Sequence, residues 1–499
     1  MLIARLFLIG FCSLVSPAVH AFNLDDVTRL AKQLEQVPYD DSSAKVPQWL
    51  LDITYDQWRD IRFRPDKSLW RGTGLPFEAQ FFHPGLYFPH RIRFNVIDGD
   101  KVEPITLSTK QFDYGKNDFA ARIPDDLGYA GFRIHYPLNR SEYLDELVVF
   151  LGASYFRALA RGQVYGLSAR GIAIDTVASK PEEFPFFREF WIEKPNADAK
   201  SVVLYALLDG ASVTGAYRFE IVPGDQTTIH VECRLYLRDP VEKLGIAPLT
   251  SMFFHGEDEM YPIVDYRPEV HDSDGLLLRF ESGEWLWRPL QNPKTIQVSS
   301  FAMQSPKGLG LLQRDRDFDH HQDLETRTDM RPSVWIETRG DWGAGHVELM
   351  QLPTNTDIHD NIVSYWVPKA QPNPGEQVSF AYTMYWYGAD PSRPPGGRCV
   401  ATRRDQGTIK GAQRLVLDFE GPALAALGAA EEPKGVVTVS GGDSVGKVLD
   451  EHIVKNPVTG GWRLAFQVRP AGKSPVELRA FLERDGAVLS ETWSYAVMP

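Results

Sequence analysis

A chain of 499 residues with 43% hydrophobic and 24% charged residues has the material for two or three domains and a large buried core. The formal net charge of −13 removes the electrostatic case for nucleic-acid binding. Aromatic residues reach 12%, with 12 Trp, and an acidic surface suits solubility first and neutral ligands such as sugars second.

The first residues, MLIARLFLIGFCSLVSPAVHA, carry one basic residue, Arg5, then an apolar run from Leu6 to Val15, and end in the small-residue pattern Val19-His20-Ala21. This reads as a secretory signal peptide, residues 1–21, cleaved after Ala21. It is too short for a membrane anchor, and no other stretch reaches 18 apolar residues, so the expected product is exported and does not span a membrane. Arg5 stands alone, which excludes a twin-arginine signal.

Next comes NLDDVTRLAKQLEQ, in which Leu24, Val27, Leu30, Ala31 and Leu34 recur at helical spacing and Asn23 is placed to cap. Brief helices are expected in SEYLDELVVF and ASYFRALARG. VVLYALLDG, GAYRFEIVPGD and TTIHVECRLYLRD predict a meander of strands, with Cys233 facing inward beside Ile229, Val231 and Leu235. Cys233 and Cys399 are left open between free buried thiols and a disulfide.

The density of strands over residues 22–388 predicts one large all-β domain. Residues 389–407, rich in Pro, Gly and Arg, read as a linker. Residues 408–499 alternate cleanly at Leu415, Leu417 and Phe419, at Trp462 to Val468, at Val476 to Leu482 and at Trp493 to Val497. Asp485-Gly486 supplies a hairpin turn, which predicts a small immunoglobulin-like sandwich.

Several signatures are absent or incomplete. There is no HExxH and no GxSxG, and GGDSVGK (Gly441 to Lys447) is followed by Val448 where a phosphate loop needs a hydroxyl, so it predicts a turn. The stretch QRDRDFDHHQDLETR, Gln313 to Arg327, offers hard ligands in Asp315, Asp317, Asp319, His320, His321 and Asp323, but three arginines interleave with them. Mutual ion pairing is the expected state, with a cleft-lining loop and a cation site as the alternatives. HDSDG at His271 and TDIHDN at Thr356 each place acids in a loop beside aromatic strands. Glycosidic cleavage uses one carboxylic acid and one carboxylate, and sugar C–H faces stack on rings.

Nine segments in order carry a resemblance. They are YDQWRDIRFRPDKSLW, FEAQFFHPGLYF, FLGASYFRALARGQVYGLSARGIAIDT, YRPEVHDSDGL, GEWLWRPLQNPK, GLGLLQRDRDFDHHQDLE, RPSVWIE, DWGAGHVELMQLPT and DNIVSYWVP. Together they resemble the periplasmic glucan biosynthesis protein G and D family over residues 22 to about 405, with the single-signal export segment favouring the G type. The resemblance implies a large galactose mutarotase-like β-sandwich followed by a small immunoglobulin-like β-sandwich, and no cofactor or metal. It implies action on a β-1,2-linked glucose backbone, with β-1,6 branches allowed, as an anomer-inverting endo-glucanase or transglycosylase. In the alternative, the protein is a non-catalytic glucan-binding partner of the inner-membrane glucan synthase. A metal-dependent site at Asp315 to Asp323 is a third reading.

Carried over by motif, the general acid is Asp360 in DNIV and the general base Asp272 in RPEVHDS. Asp357 stands three residues before the acid, where the family usually has glutamate. A neighbouring like charge is expected to keep one carboxyl of the Asp357–Asp360 pair protonated. The expected glucan contacts are Tyr266, Arg267, Trp285, Trp287, Arg314, Asp317 and Tyr365.

Overall fold

The computed structural model describes residues 21–41, 46–259, 264–390, 392–428 and 430–498. Except for Ala21, the expected signal peptide lies outside the described residues. The chain begins with a helix, Leu24–Glu35, capped by Asn23, whose side chain accepts from the Asp25 amide. Its apolar stripe of Leu24, Val27 and Ala31 packs on Trp191, Tyr205, Leu207 and Tyr236, the outer face of a large sheet.

From there the protein is almost entirely strand, an all-β sandwich. One sheet of ten strands runs in the order Glu78–Phe82, Gly131–Arg140, Tyr143–Leu151, Tyr155–Ala158, Ser168–Arg170, Leu244–Ser251, Ile362–Pro368, Gly345–Gln351 and Gln297–Met303, with Ile172–Ile174 also pairing to Leu244–Ser251. The facing sheet has fifteen. It contains the expected meander, Val202–Asp209, Val213–Val222 and Thr227–Leu237, in continuous antiparallel register. Between the sheets lies a phenylalanine-rich core in which Phe132, Phe150, Phe187, Phe190 and Phe219 meet edge to face or stacked.

The two segments expected to hold brief helices are strands instead. Tyr143–Leu151 and Tyr155–Ala158 form a hairpin in which Phe150 pairs with Phe156 and Val148 with Ala158. Val148, Phe150, Phe156 and Ala158 fill the inter-sheet core, and this burial of β-branched and aromatic side chains overrides local helix preference.

The C-terminal part is a second, smaller sandwich. One of its layers is a four-stranded sheet ordered Arg398–Gln406, Gln413–Glu420, Trp462–Pro470 and Gly446–Lys455, so a regular strand occupies part of the stretch read as linker. The other layer, Lys434–Val439, Val476–Arg484 and Thr492–Val497, continues directly into the fifteen-stranded sheet. Thr492–Val497 pairs in parallel with Trp285–Pro289, matching Leu286 to Thr492 and Trp287 to Trp493. Asp485 (φ 52°) and Gly486 (φ 80°) make the expected tight hairpin turn. GGDSVGK is a turn leading into a strand. Cys233 and Cys399 are both buried free thiols, and burial raises Cys233 to about 12.

Candidate functional site

Asp272 and Asp360 are far apart in sequence, and hydrogen bonds made by their neighbours tie together the two segments that carry them. Asp360 immediately precedes the strand Ile362–Pro368. The next residue, Asn361, is buried, and its side chain forms a backbone-like link to another segment. Its Oδ1 accepts from the Phe253 amide (2.8 Å), and its Nδ2 donates to the carbonyls of Phe253 (3.0 Å) and Leu352 (3.0 Å). Phe253 in turn pairs with His271, one residue before Asp272, and the Asp272 amide donates to the Met252 carbonyl at 2.8 Å. One asparagine therefore clamps the two aspartate-bearing segments together.

His271 fixes the second segment from beneath. It stacks on Phe253 and is held by Gln313 Oε1 (2.8 Å) and Glu269 Oε2 (2.9 Å). Burial opposes charge on His271, but the Glu269 carboxylate wins and raises it to about 9.

Each candidate carboxylate faces an arginine. Asp272 is buried and ion-paired through Oδ1 with Arg331. Asp357 accepts from Arg267 Nη1 at 2.9 Å, and the same guanidinium also binds Asp265 (2.8 Å) and Asp323 (3.2 Å). Asp360, a third exposed, lies 4.0 Å from Arg157. Arg331 sits amid them. Burial and the nearby Arg157 bring its pKa down to about 10, against the pull of Asp357 and Asp360.

Its position is set by close packing on Gly166, where a Cβ would stand 2.8 Å from Arg331 Cβ. Of the pair expected to share a like-charge contact, Asp357 is hydrogen-bonded to Arg267 and Asp360 lies near Arg157. Asp360 opens into a cavity of about 350 Å³ lined by Phe88, Val149, Leu151, Tyr155, Arg157 and Tyr165, a size suited to sugar units.

The structure gathers Asp272, Asp357, Asp360 and Arg267 into this network, with Tyr266 beside Arg267 and 77% exposed. The other expected contacts lie elsewhere. Tyr365 is wholly buried under Ala173 and Met350, with its hydroxyl donating to the Thr176 carbonyl (3.3 Å), so no ring face is free. Trp287 is buried under the Arg314 guanidinium, 3.6 Å from its ring centre, and Arg314 grips Glu491 of the C-terminal sandwich at 2.6 and 2.9 Å. Trp285 packs against Trp335 in a groove shared with Phe481 and Leu489. Asp317 caps the short helix Phe318–His321.

The mutual ion pairing expected of the charged loop is only partly present. Asp315 pairs with His320 inside it, but Arg314 goes to Glu491, Arg316 to the carbonyls of Asp329 and Arg331, Arg327 to Asp329, and Asp323 takes Arg267. Glu269, Asp315 and His320 bring donor atoms within 4.8 Å of one another, but Asp315 Oδ2 is bonded to His320 Nδ1 (2.6 Å) and Glu269 Oε2 to His271. Sequence reading missed Arg157, Arg331 and Asn361. The signal was present for Arg157, which alternates with Phe156 in a strand and so points away from the core.

The fold and this arginine-braced carboxylate cluster define a protein of a single family. The profile described as periplasmic glucan biosynthesis protein, MdoG, matches residues 22–497, and the chain belongs to that family. Its relatives include glucans biosynthesis protein G of Ralstonia nicotianae, 46% identical over 98% of this chain and 99% of that one. Glucans biosynthesis protein G of Pseudomonas aeruginosa is 44% identical over 96% of this chain and 94% of that one. The protein has a role in periplasmic glucan biosynthesis, and none of the described helices is long and apolar enough to cross a membrane.

Proposed function

We propose that the protein remodels the β-1,2-linked glucose backbone of a periplasmic glucan, as an inverting endo-glucanase or transglycosylase. Asp360 serves as general acid and Asp272 as general base acting through water. The observation that supports this reading is the linkage Asp360–Asn361–Phe253–His271–Asp272, which ties together the two carboxylate-bearing segments, with Arg331 paired to Asp272 and within electrostatic reach of Asp360. Inverting chemistry needs two such groups on opposite sides of the scissile bond. Asp357, tied into the Arg267 network, shapes the cleft floor. Arg157 and Tyr155 line the cavity into which Asp360 opens and are placed to hold glucose hydroxyls.

The test is product analysis after incubation with linear β-1,2-glucan. New reducing ends that first appear as the α anomer, or cyclic products, support the enzyme. Asp360→Asn removes the proton donor at nearly constant shape and is expected to slow product release by about 10²–10⁴-fold. Product release unchanged by that substitution removes Asp360 from the role.

A second reading has one observation in its favour: all three candidate carboxylates have an arginine within 4.0 Å, an arrangement that also suits tight hydroxyl binding without turnover. Glucan binding with no product from the wild-type protein, in the presence or absence of the membrane synthase, selects that non-catalytic role.

A further inference from the structure

The cavity at Asp360 has a neighbour. A groove of about 500 Å³ lies at the edge strand Glu78–Phe82 of the ten-stranded sheet, walled by Trp58, Phe82, Arg59, Arg62, Arg64 and Arg133. Their walls touch at a ring pair, Trp58 of the groove and Phe88 of the Asp360 cavity, with centroids 5.0 Å apart. Strand register makes the same connection. Gln80 pairs with Arg133, Arg133 with Val149, and Val149 with Arg157. These residues form one row across four strands, on the face opposite the phenylalanine core, and lead from the groove to Asp360.

The charge of this groove runs against the chain as a whole, whose formal net charge is −13. Four arginines line it against two acids, and both acids are engaged. Asp66 is paired with Lys67 at 3.1 Å, and Asp113 Oδ1 accepts the Gly115 amide at 3.0 Å. Arg133 is occupied by Glu146 and Gln80 and serves as wall.

The other three are available. Arg64 spends its Nε on the Phe112 carbonyl (3.1 Å) and has no ion pair among the described residues. Arg59 and Arg62 meet Asp56 and Asp60 only at 3.3 and 3.9 Å, with side chains 65% and 74% exposed. Pairs of that kind hold a guanidinium weakly, so an incoming anion can take it. Beside them Trp58 and Phe82 are half-buried and present ring surface at the rim. Arginines with aromatic ring faces recognise an anion attached to a sugar: the guanidinium forks bind the phosphate or carboxylate, and the rings take the C–H face.

We propose that this groove is a distal subsite of the glucan trough that binds a sugar residue carrying an anionic group. The proposal rests on the trough reading of the Asp360 cavity for its place on the glucan, but the anion site is testable apart from it. Linear β-1,2-glucan is titrated into the full chain in two forms, unmodified and phosphorylated on primary hydroxyls. The phosphorylated form is expected to bind about tenfold tighter at low salt, with the advantage shrinking as salt rises. The triple variant Arg59→Gln, Arg62→Gln, Arg64→Gln, and Arg64→Gln alone in part, is expected to erase that advantage and leave the neutral glucan's affinity unchanged.

Equal affinity of the two glucans in the wild type, or an advantage that survives the triple variant, overturns the proposal. Glucose 6-phosphate and inorganic phosphate are the small probes. Glucose 6-phosphate that binds only with the arginines present, while neither glucan binds, upholds the anion site and overturns the trough. Inorganic phosphate binding as tightly as glucose 6-phosphate overturns the sugar platform.

Discussion

The site turns on two side chains whose roles are mechanical. Among the described residues Arg331 is the one cation ion-paired with buried Asp272, and removing one partner of a buried pair leaves an uncompensated charge. Arg331→Gln is expected to cost about 3–5 kcal/mol by denaturant melts. Adding Asp272→Asn to it should recover a large part of that loss, and a double variant no more stable than Arg331→Gln would show that the pairing is not what holds Arg331. Asn361 satisfies one amide and two carbonyls, and its bonds to Phe253 are buried. Asn361→Ala should cost about 2–4 kcal/mol from the orphaned groups and, at temperatures where the variant stays folded, lower turnover of β-1,2-glucan by about 10²-fold, because it frees Asp360 from Asp272. A variant with the stability loss but wild-type turnover would show that the aspartates are aligned by something else. Sequence motifs pointed to Asp272, Asp357, Asp360 and Arg267, each of which meets an oppositely charged side chain here. They overreached at Tyr365 and Trp287, where an aromatic beside an acidic loop looked like a sugar platform. Alternation along a strand says that a residue points off one face, but not that another segment, such as residues 172–178, covers that face.

Hydrophobic periodicity also made the helix, the meander and the C-terminal strands legible, since each buries one face and repeats at its own period. The hairpin Tyr143–Leu151 and Tyr155–Ala158 was not legible, because its Leu, Glu and Ala residues favour helix until the core is known. Equally hidden was the segment 256–259, which joins the two sandwiches through acids. Glu257 accepts the Thr402 amide and pairs with Arg403 (3.0 Å), and Asp258 accepts the Tyr495 hydroxyl at 2.6 Å. Burial raises Glu257 to about 8 and Glu259 to about 7, and Glu269 raises His271 to about 9 despite burial. All three bind their protons more tightly folded than unfolded. Their stabilisation is complete below the unfolded values of 4.5 and 6.5 and is lost as pH rises through the folded ones. His83, His90, His135, His255 and His321 shift the other way through burial, which adds stability only as pH rises to about 6.5. Between about pH 7 and pH 9 the raised groups act alone, so the melting temperature should fall across that window. Glu257→Gln should flatten the part below about pH 8. A melting temperature that rises from pH 7 to pH 9, or a slope untouched by that substitution, would show that the junction acids are not protonated in the fold.

At the scale of the whole chain, a Pro- and Gly-rich connector would ordinarily separate two independent domains. Here the connector is bypassed by a sheet. Leu277, Trp287, Leu312, Trp335 and Tyr387 of the large sandwich share one apolar cluster with Leu415, Phe419, Phe466, Trp493 and Tyr495 of the small one. Around it Arg314 forks onto Glu491, Arg288 onto Glu477 (2.6 and 3.1 Å), and Glu284 accepts Thr492 at 2.6 Å. The connection reaches the candidate site. The amides of Arg314 and Asp315 both donate to Asp274 Oδ2 (2.9 and 2.8 Å), two residues from Asp272, so the grip of Glu491 on Arg314 helps hold the loop that carries the proposed base. A core shared in this way cannot be opened on one side alone without exposing two tryptophans on the other. Calorimetry should therefore show a single unfolding transition for the whole chain, with van't Hoff and calorimetric enthalpies in agreement. A chain ending at Gly388 should be insoluble or molten, because Trp287 and Trp335 lose their cover. Two resolved transitions, or a truncated chain that melts cooperatively and still acts on β-1,2-glucan, would mean that the small sandwich is an appendage and not part of the frame on which Asp272 is held.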